Sequence, residues 1–254
     1  MATFDSDGVS IRYEEFGSGP PIVLVHGFAS SLRDNWELTG WVRRLVSAGR
    51  RVIALDCRGH GDSGKPHDPM AYSEGTMSGD VIRLMDHLEI ERADLMGYSM
   101  GGAIALDLIL HQPQRFRRAV LGGVGALLRG VTESTAIADA LAADDPSTIS
   151  SPLARAFRDF AEQRGNDLKA LAACIRRGRA RPDAQMLASI SMPVLVAVGE
   201  KDDLVSGADQ LAAAIPGARL ITVPDRDHIT VVADSRFKEP ILGFVRRESA
   251  AIEE

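Results

Sequence analysis

Apolar residues run unbroken at Ile22-Val23-Leu24-Val25, Val52-Ile53-Ala54-Leu55, Ala119-Val120-Leu121 and Val194-Leu195-Val196-Ala197-Val198. Short runs rich in β-branched residues read as strands covered on both faces, as in a parallel sheet. Ala93-Asp94-Leu95-Met96-Gly97 and Leu220-Ile221-Thr222-Val223 read as two more, with Asp94 interrupting the first. Between these runs the period becomes helical. One helix is expected from about Trp36, with Trp41, Val42, Leu45 and Val46 on its apolar side. Val81, Leu84, Met85 and Leu88 stand at i, i+3, i+4, i+7, the stripe of an amphipathic helix. Ala103 to Leu110 is an apolar helix stopped by Pro113. Phe237, Ile241, Phe244 and Val245 stripe the last helix, whose start Pro240 is expected to delay. At the other end, Thr3-Phe4-Asp5 and the alternating Val9 to Tyr13 flank Ser6-Asp7-Gly8, a hairpin signal.

Strand and helix therefore alternate, which predicts an α/β fold with a mostly parallel twisted sheet covered by helices on both faces. One stretch breaks the alternation. Residues 127–181 contain no strand-like run, while Leu153, Phe157, Phe160 and then Leu168, Leu171, Ala172, Ile175 keep helical spacing. The expected organisation is a core of residues 1–126 and 182–254 with a small helical insertion at 127–181.

Length and composition narrow the function classes. A chain of 254 residues supports one well-cored domain. Its 45% hydrophobic and 25% charged content is that of a globular protein, not a disordered one. A net charge of −6 argues against a nucleic-acid partner. No run approaches the roughly 18 apolar residues of a membrane helix, and Met1 to Gly8 holds Asp5 and Asp7 and no apolar core, so no secretory leader is expected. Cys57 and Cys174 cannot build a disulfide framework, which suits a reducing, cytoplasmic setting. No Cys/His cluster has zinc spacing, and neither metal nor cofactor is expected.

The candidate chemistry lies at the ends of the strands. Gly97-Tyr98-Ser99-Met100-Gly101 fits G-x-S-x-G between a strand and a helix. Such a turn lifts the Ser99 hydroxyl above the sheet and leaves the Met100 N–H at a helix N-terminus, where developing negative charge is favoured. A hydroxyl needs a base to act as nucleophile. Of six histidines, His87 and His111 sit on helices away from the strand ends, whereas His228 follows the last strand in Pro224-Asp225-Arg226-Asp227-His228. That is the carboxyl edge, where open α/β sheets keep their sites. An acid to orient the imidazole is supplied by Gly199-Glu200-Lys201-Asp202-Asp203, after another strand. Spacing alone does not separate Asp202 from its neighbour Asp203. His26 and His60 read as organisers of their loops, Cys57 as a small buried residue, and Arg176, Arg177, Arg179 and Arg181 as a solvated helix end.

These motifs, in this order, resemble the α/β-hydrolase fold superfamily over nearly the whole chain. His26-Gly27-Phe28 resembles its oxyanion loop, Asp56-Cys57-Arg58-Gly59-His60-Gly61-Asp62-Ser63 its D-x-R-G-x-G-x-S loop, and Gly97 to Gly102 its nucleophile elbow. The resemblance implies an oxyanion hole made by the backbone N–H groups of Phe28 and Met100. It favours Asp202 as the acid and makes the insertion a cap. It implies a serine hydrolase acting on a small carboxylic ester or lactone, with Ser99, His228 and Asp202 as the triad. Relatives that open epoxides or remove halogens carry Asp at the elbow, so Ser99 argues against both reactions. A C–C bond hydrolase, a cofactor-free perhydrolase and a low-turnover small-molecule receptor are the alternatives. In one place the chain departs from the family: Asp227 precedes His228 where glycine is usual.

Overall fold

The computed structural model describes residues 2–73, 75–125, 131–176 and 182–246. Among them eight strands form one sheet: β1 (Ala2–Ser6), β2 (Val9–Phe16), β3 (Pro21–Val25), β4 (Arg51–Leu55), β5 (Ala93–Tyr98), β6 (Phe116–Gly122), β7 (Val194–Gly199) and β8 (Arg219–Val223). Their order is β1-β2-β4-β3-β5-β6-β7-β8. The two pairs made by β2 are antiparallel and the rest of the sheet is parallel. Asp7 and Gly8 turn the first hairpin with φ of 51° and 78°, the doubly left-handed conformation that matches the twist of the flanking strands.

Successive residues of a strand point to opposite faces, and the core divides accordingly. On one face Val23, Val25, Ile53, Leu55, Leu95 and Val196 pack under buried residues of α2 (Thr76–His87), α3 (Met100–His111) and α8 (Ala208–Ala214). On the other, Ile22, Leu24, Val52, Met96, Val120 and Leu195 pack under α1 (Trp41–Ser47) and α9 (Ser235–Arg246). Helices thus cover both faces of a mostly parallel sheet, and β5 and β7 are buried at every residue.

Two local expectations are corrected. The single helix from Trp36 is two elements: one wide turn at Arg33–Glu37, then α1, separated at Gly40, whose φ is 81°. Trp36 and Trp41 are both fully buried, edge to face at 6.4 Å. Their apolar pattern records burial rather than one continuous ladder of hydrogen bonds. Pro240 does not delay α9, which starts at Ser235. Asp234 fixes that start, its carboxylate accepting the Arg236 N–H at 2.8 Å and its carbonyl the N–H groups of Phe237 and Lys238.

Asp94 does not break β5 because two arginines compensate its charge. Arg50 donates to it at 2.7 Å and Arg118 lies at 3.5 Å. Both arginines also cap the C-terminal carbonyls of α9, Arg50 at Val245 and Arg118 at Phe244. All three side chains are almost wholly buried, where an unpaired charge costs more than a surface pair could return. Asp94→Ala should therefore lower unfolding stability by about 3–5 kcal/mol, read from urea transitions. A loss below ~1 kcal/mol, the scale of a surface pair, would show that water reaches both guanidinium groups.

Between β6 and β7 the described residues form α4 (Val131–Ala142), α5 (Pro152–Gln163) and α6 (Leu168–Arg176), with no strand among them. A further short helix, α7 (Ala184–Ala188), follows and was not expected. Ser151 caps α5, its hydroxyl accepting the Ala154 N–H at 3.2 Å, with Pro152 in the first helical position. Buried Arg158 reaches across from α5 to the last carbonyls of α4, at 2.8 Å from that of Ala140. The apolar faces form a third core of Ile137, Ala140, Leu141, Ala154, Ala161, Leu171 and Ala172, which also takes in Ala29 from the loop after β3. Arg176 pairs with Asp139 at 2.8 Å. Arg177, Arg179 and Arg181, and the first residues of the expected insertion at 127–130, lie outside the described residues.

Candidate active site

β5 ends at Tyr98 and α3 begins at Met100, so Ser99 alone makes the reversal. It does so with φ 54° and ψ −114°, a conformation that costs a residue with a Cβ about 1–3 kcal/mol and persists where the surroundings enforce it. Here the Ser99 N–H is held by the Gly122 carbonyl at 2.8 Å and its own carbonyl by the Ala103 N–H at 3.0 Å. The flanking glycines are obligatory. A Cβ on Gly97 would stand 2.0 Å from the Gly101 carbonyl oxygen, and one on Gly101 would stand 2.0 Å from that of Val25. Strand, helix and the end of β3 are thereby packed backbone to backbone, with the serine at the carboxyl edge of the sheet.

The loop after β3 runs directly beside this turn: a Cβ on Gly27 would stand 3.5 Å from the Ser99 Cβ. Among the described residues, neither the Phe28 nor the Met100 backbone N–H donates to a protein acceptor. His26 is fully buried and braces this loop, its Nδ1 at 2.7 Å from the Gly27 carbonyl oxygen and its Nε2 accepting the Cys57 N–H at 2.9 Å. Burial pushes the His26 pKa down, which keeps that nitrogen free to accept. His60, also buried, lies against the rings of His26 and Phe28. The D-x-R-G loop is likewise structural: Asp56 accepts the Leu32 and Asp62 N–H groups and Arg12 at 2.7–3.0 Å, while Arg58 forks onto Asp80.

His228 follows β8, and its Nδ1 lies 2.7 Å from Asp202 Oδ2. The Asp202 side chain is only 2% exposed, and its other oxygen accepts the Leu204 N–H at 3.1 Å. A carboxylate facing Nδ1 fixes the proton there and leaves Nε2 as the basic atom. Asp203 is exposed, and of the two adjacent acids it is Asp202 that contacts the imidazole. Gly123, just past β6, leaves room for the ring: a Cβ there would stand 3.1 Å from His228 Cε1. Gly122 holds the Ser99 N–H and the next residue borders the His228 ring, so the end of β6 touches both residues.

Asp227, the departure from the family pattern, does not bond the His228 ring. Its Oδ1 accepts the Thr230 N–H and hydroxyl, both at 2.8 Å, and the Ile229 N–H at 2.9 Å. The Thr230 bonds, chiefly, hold its pKa below the usual carboxylate range. Asp227 is thereby tied to the start of the short helical turn at Thr230–Ala233.

Three polar contacts at the site carried no signal in the sequence pattern. The Tyr98 hydroxyl donates to the His228 carbonyl, and burial foremost, then the charges of Asp202 and Asp227, push its pKa well up, so it stays a donor. Asn35 accepts the Gly27 N–H at 3.0 Å, and Asn166 donates to the Ala29 carbonyl at 2.9 Å. Among the described residues no group of three or more His, Cys, Asp or Glu is placed to hold a metal ion, and no helix is long and apolar enough to cross a membrane.

Residues 20–172 match the family described as alpha/beta hydrolase fold. The chain is similar to the dihydrolipoyllysine-residue acetyltransferase component of the acetoin cleaving system of Pseudomonas putida, 32% identical over 94% of this chain and 68% of that one. It is 37% identical to the 2-hydroxymuconate semialdehyde hydrolase of Pseudomonas sp. strain CF600, over 50% of this chain and 44% of the relative. Among solved structures, an esterase from Exiguobacterium antarcticum superposes with a TM-score of 0.81 at 25% identity, covering 97% of this chain and all of the other.

Proposed function

This chain belongs to the α/β hydrolase fold family, and on that premise we propose that it is a serine hydrolase cleaving a small carboxylic ester or lactone. The observation that carries the reading is the 2.7 Å contact of His228 with buried Asp202, at the sheet edge where Ser99 makes its strained turn. His228 Nε2 takes the Ser99 proton as the oxygen attacks the carbonyl carbon. The N–H groups of Phe28 and Met100 receive the oxyanion, and Asp202 stabilises the imidazolium. The tetrahedral intermediate expels the alkoxide, which leaves with the proton from His228. Water then gives a proton to His228 and attacks the acyl-enzyme, and collapse returns Ser99 and the free acid. Serine at the elbow is what separates this scheme from those that need a carboxylate nucleophile.

Helices α4, α5 and α6 act in this reading as a cap, and a narrow one. Phe157 lies 6.0 Å from Phe28, ring to ring, while the Phe160 face is occupied by Arg164 at 4.2 Å. One aromatic wall suits a short acyl group, because each methylene adds about 0.8 kcal/mol only while a wall reaches it. With p-nitrophenyl esters from C2 to C16, kcat/KM should rise to about C4–C6 and then decline. A maximum at C12 or beyond would overturn the narrow cap. Lactones and a vinylogous diketone, assayed alongside with Ser99→Ala as control, test the reaction class. Faster turnover of the diketone than of any ester would assign C–C bond cleavage, the reaction class that the semialdehyde hydrolase relative brings into question.

A further inference from the structure

The oxyanion loop is a tight turn held from outside itself. Ser30 N–H donates to the Gly27 carbonyl at 3.3 Å, closing a four-residue turn with Phe28 and Ala29 at its centre. Ala29 sits third in that turn with φ 55°, a place that favours glycine because a Cβ is strained there. Ala29 is also fully buried, within the core formed by α4, α5 and α6. From the α5–α6 connection, Asn166 Nδ2 donates to the Ala29 carbonyl at 2.9 Å.

The order of these bonds matters. The Ala29 carbonyl and the Ser30 N–H belong to one peptide unit, and the Gly27 carbonyl and the Phe28 N–H to the next. Asn166 therefore holds the acceptor end of a peptide whose donor end holds the peptide that presents the Phe28 N–H. Hydrogen bonds in series orient and polarise one another. We infer that Asn166 is a positioning residue for the reaction: through the Ala29 and Gly27 peptides it fixes the Phe28 N–H toward the developing oxyanion. The inference rests on the serine-hydrolase reading, and it couples the inserted helices to the chemistry as well as to substrate access.

The same connection offers its own controls. Arg164 lies 3.6 Å from Asp34, and Asp167 pairs with His67 at 3.0 Å. These contacts anchor the α5–α6 turn to the core without touching Ala29. Asn166→Asp keeps the volume and removes the donor, and Asn166→Ala is the second variant should the first misfold. Each should lower kcat for p-nitrophenyl butyrate about ten-fold, less than loss of a direct oxyanion donor, with KM changed less than about two-fold. Affinity for an alkyl trifluoromethyl ketone, which adds to a serine hydroxyl and places an oxyanion in the hole, should fall by the same factor as kcat. Asp167→Asn and His67→Ala, which break the second of these contacts, should leave both quantities in place. The inference is overturned if the Asn166 variants keep kcat, if their loss appears in KM alone, or if all four variants lose kcat together with thermal stability. Ser99→Ala in the same assay separates the two levels. Activity retained there overturns the serine-hydrolase reading, whereas activity lost there but kept in the Asn166 variants overturns only the positioning role.

Discussion

Ser99→Ala and His228→Ala should each lower kcat for p-nitrophenyl butyrate by about 10⁴-fold or more, and the double variant should be no worse than the weaker single variant. The reason is that neither group works alone. A serine hydroxyl is a poor nucleophile near neutral pH until a base takes its proton, and the imidazole has no proton to take once the hydroxyl is gone. On the proposed mechanism, what survives in all three variants is the remainder of the site, the Phe28 and Met100 N–H groups and the apolar walls, and this floor is common to them. Steady-state kinetics with folded, matched preparations check it. Losses that multiply in the double variant would mean that the two residues act in separate steps. If Ser99→Ala kept more than a tenth of the activity, the nucleophile would have to be sought elsewhere.

How much of this site could be read from the chain follows from how local each constraint is. The elbow was legible because Gly97 answers a steric demand between neighbours in sequence, a Cβ there standing 2.0 Å from the Gly101 carbonyl oxygen, whereas Gly101 answers to the distant Val25 carbonyl and was legible only as part of the motif. The buried strands were legible because helices on both faces leave no polar side to alternate with. The helix expected from Trp36 shows the limit of periodicity, since two buried tryptophans on two elements give the same spacing as one helical face. Pro240 shows another limit. Whether α9 begins before the proline depends on Asp234, whose capping bonds no hydrophobic pattern records. The polar supports lay furthest out of reach. Tyr98 and His228 are 130 residues apart, and Ala29 and Asn166 are 137 apart. Nothing in one sequence pairs them, and only the folded sheet and the docked helices bring donor to acceptor.

The same limit governed the choice between Asp202 and Asp203, and there the expected experimental contrast is large. In the turn after β7 one of the two adjacent carboxylates is buried and the other is exposed to water. Asp202 is the one at 2.7 Å from His228 Nδ1, with its side chain 2% exposed. Asp202→Asn preserves shape, and an amide oxygen can still accept the Leu204 N–H that the carboxylate accepts at 3.1 Å. The fold should therefore survive with little change in thermal midpoint. The chemistry should not. An amide can turn its NH2 toward Nδ1, which stabilises the tautomer with the proton on Nε2 and takes away the lone pair that must receive the Ser99 proton. On the proposed mechanism, loss of the negative charge also removes the stabilisation of the imidazolium that forms as Ser99 attacks. Together these should lower kcat by about 10⁴-fold, while Asp203→Asn, at an exposed position, should stay within about two-fold of the parent. The opposite ranking would transfer the orienting role to Asp203 and require the loop after β7 to rearrange when substrate binds.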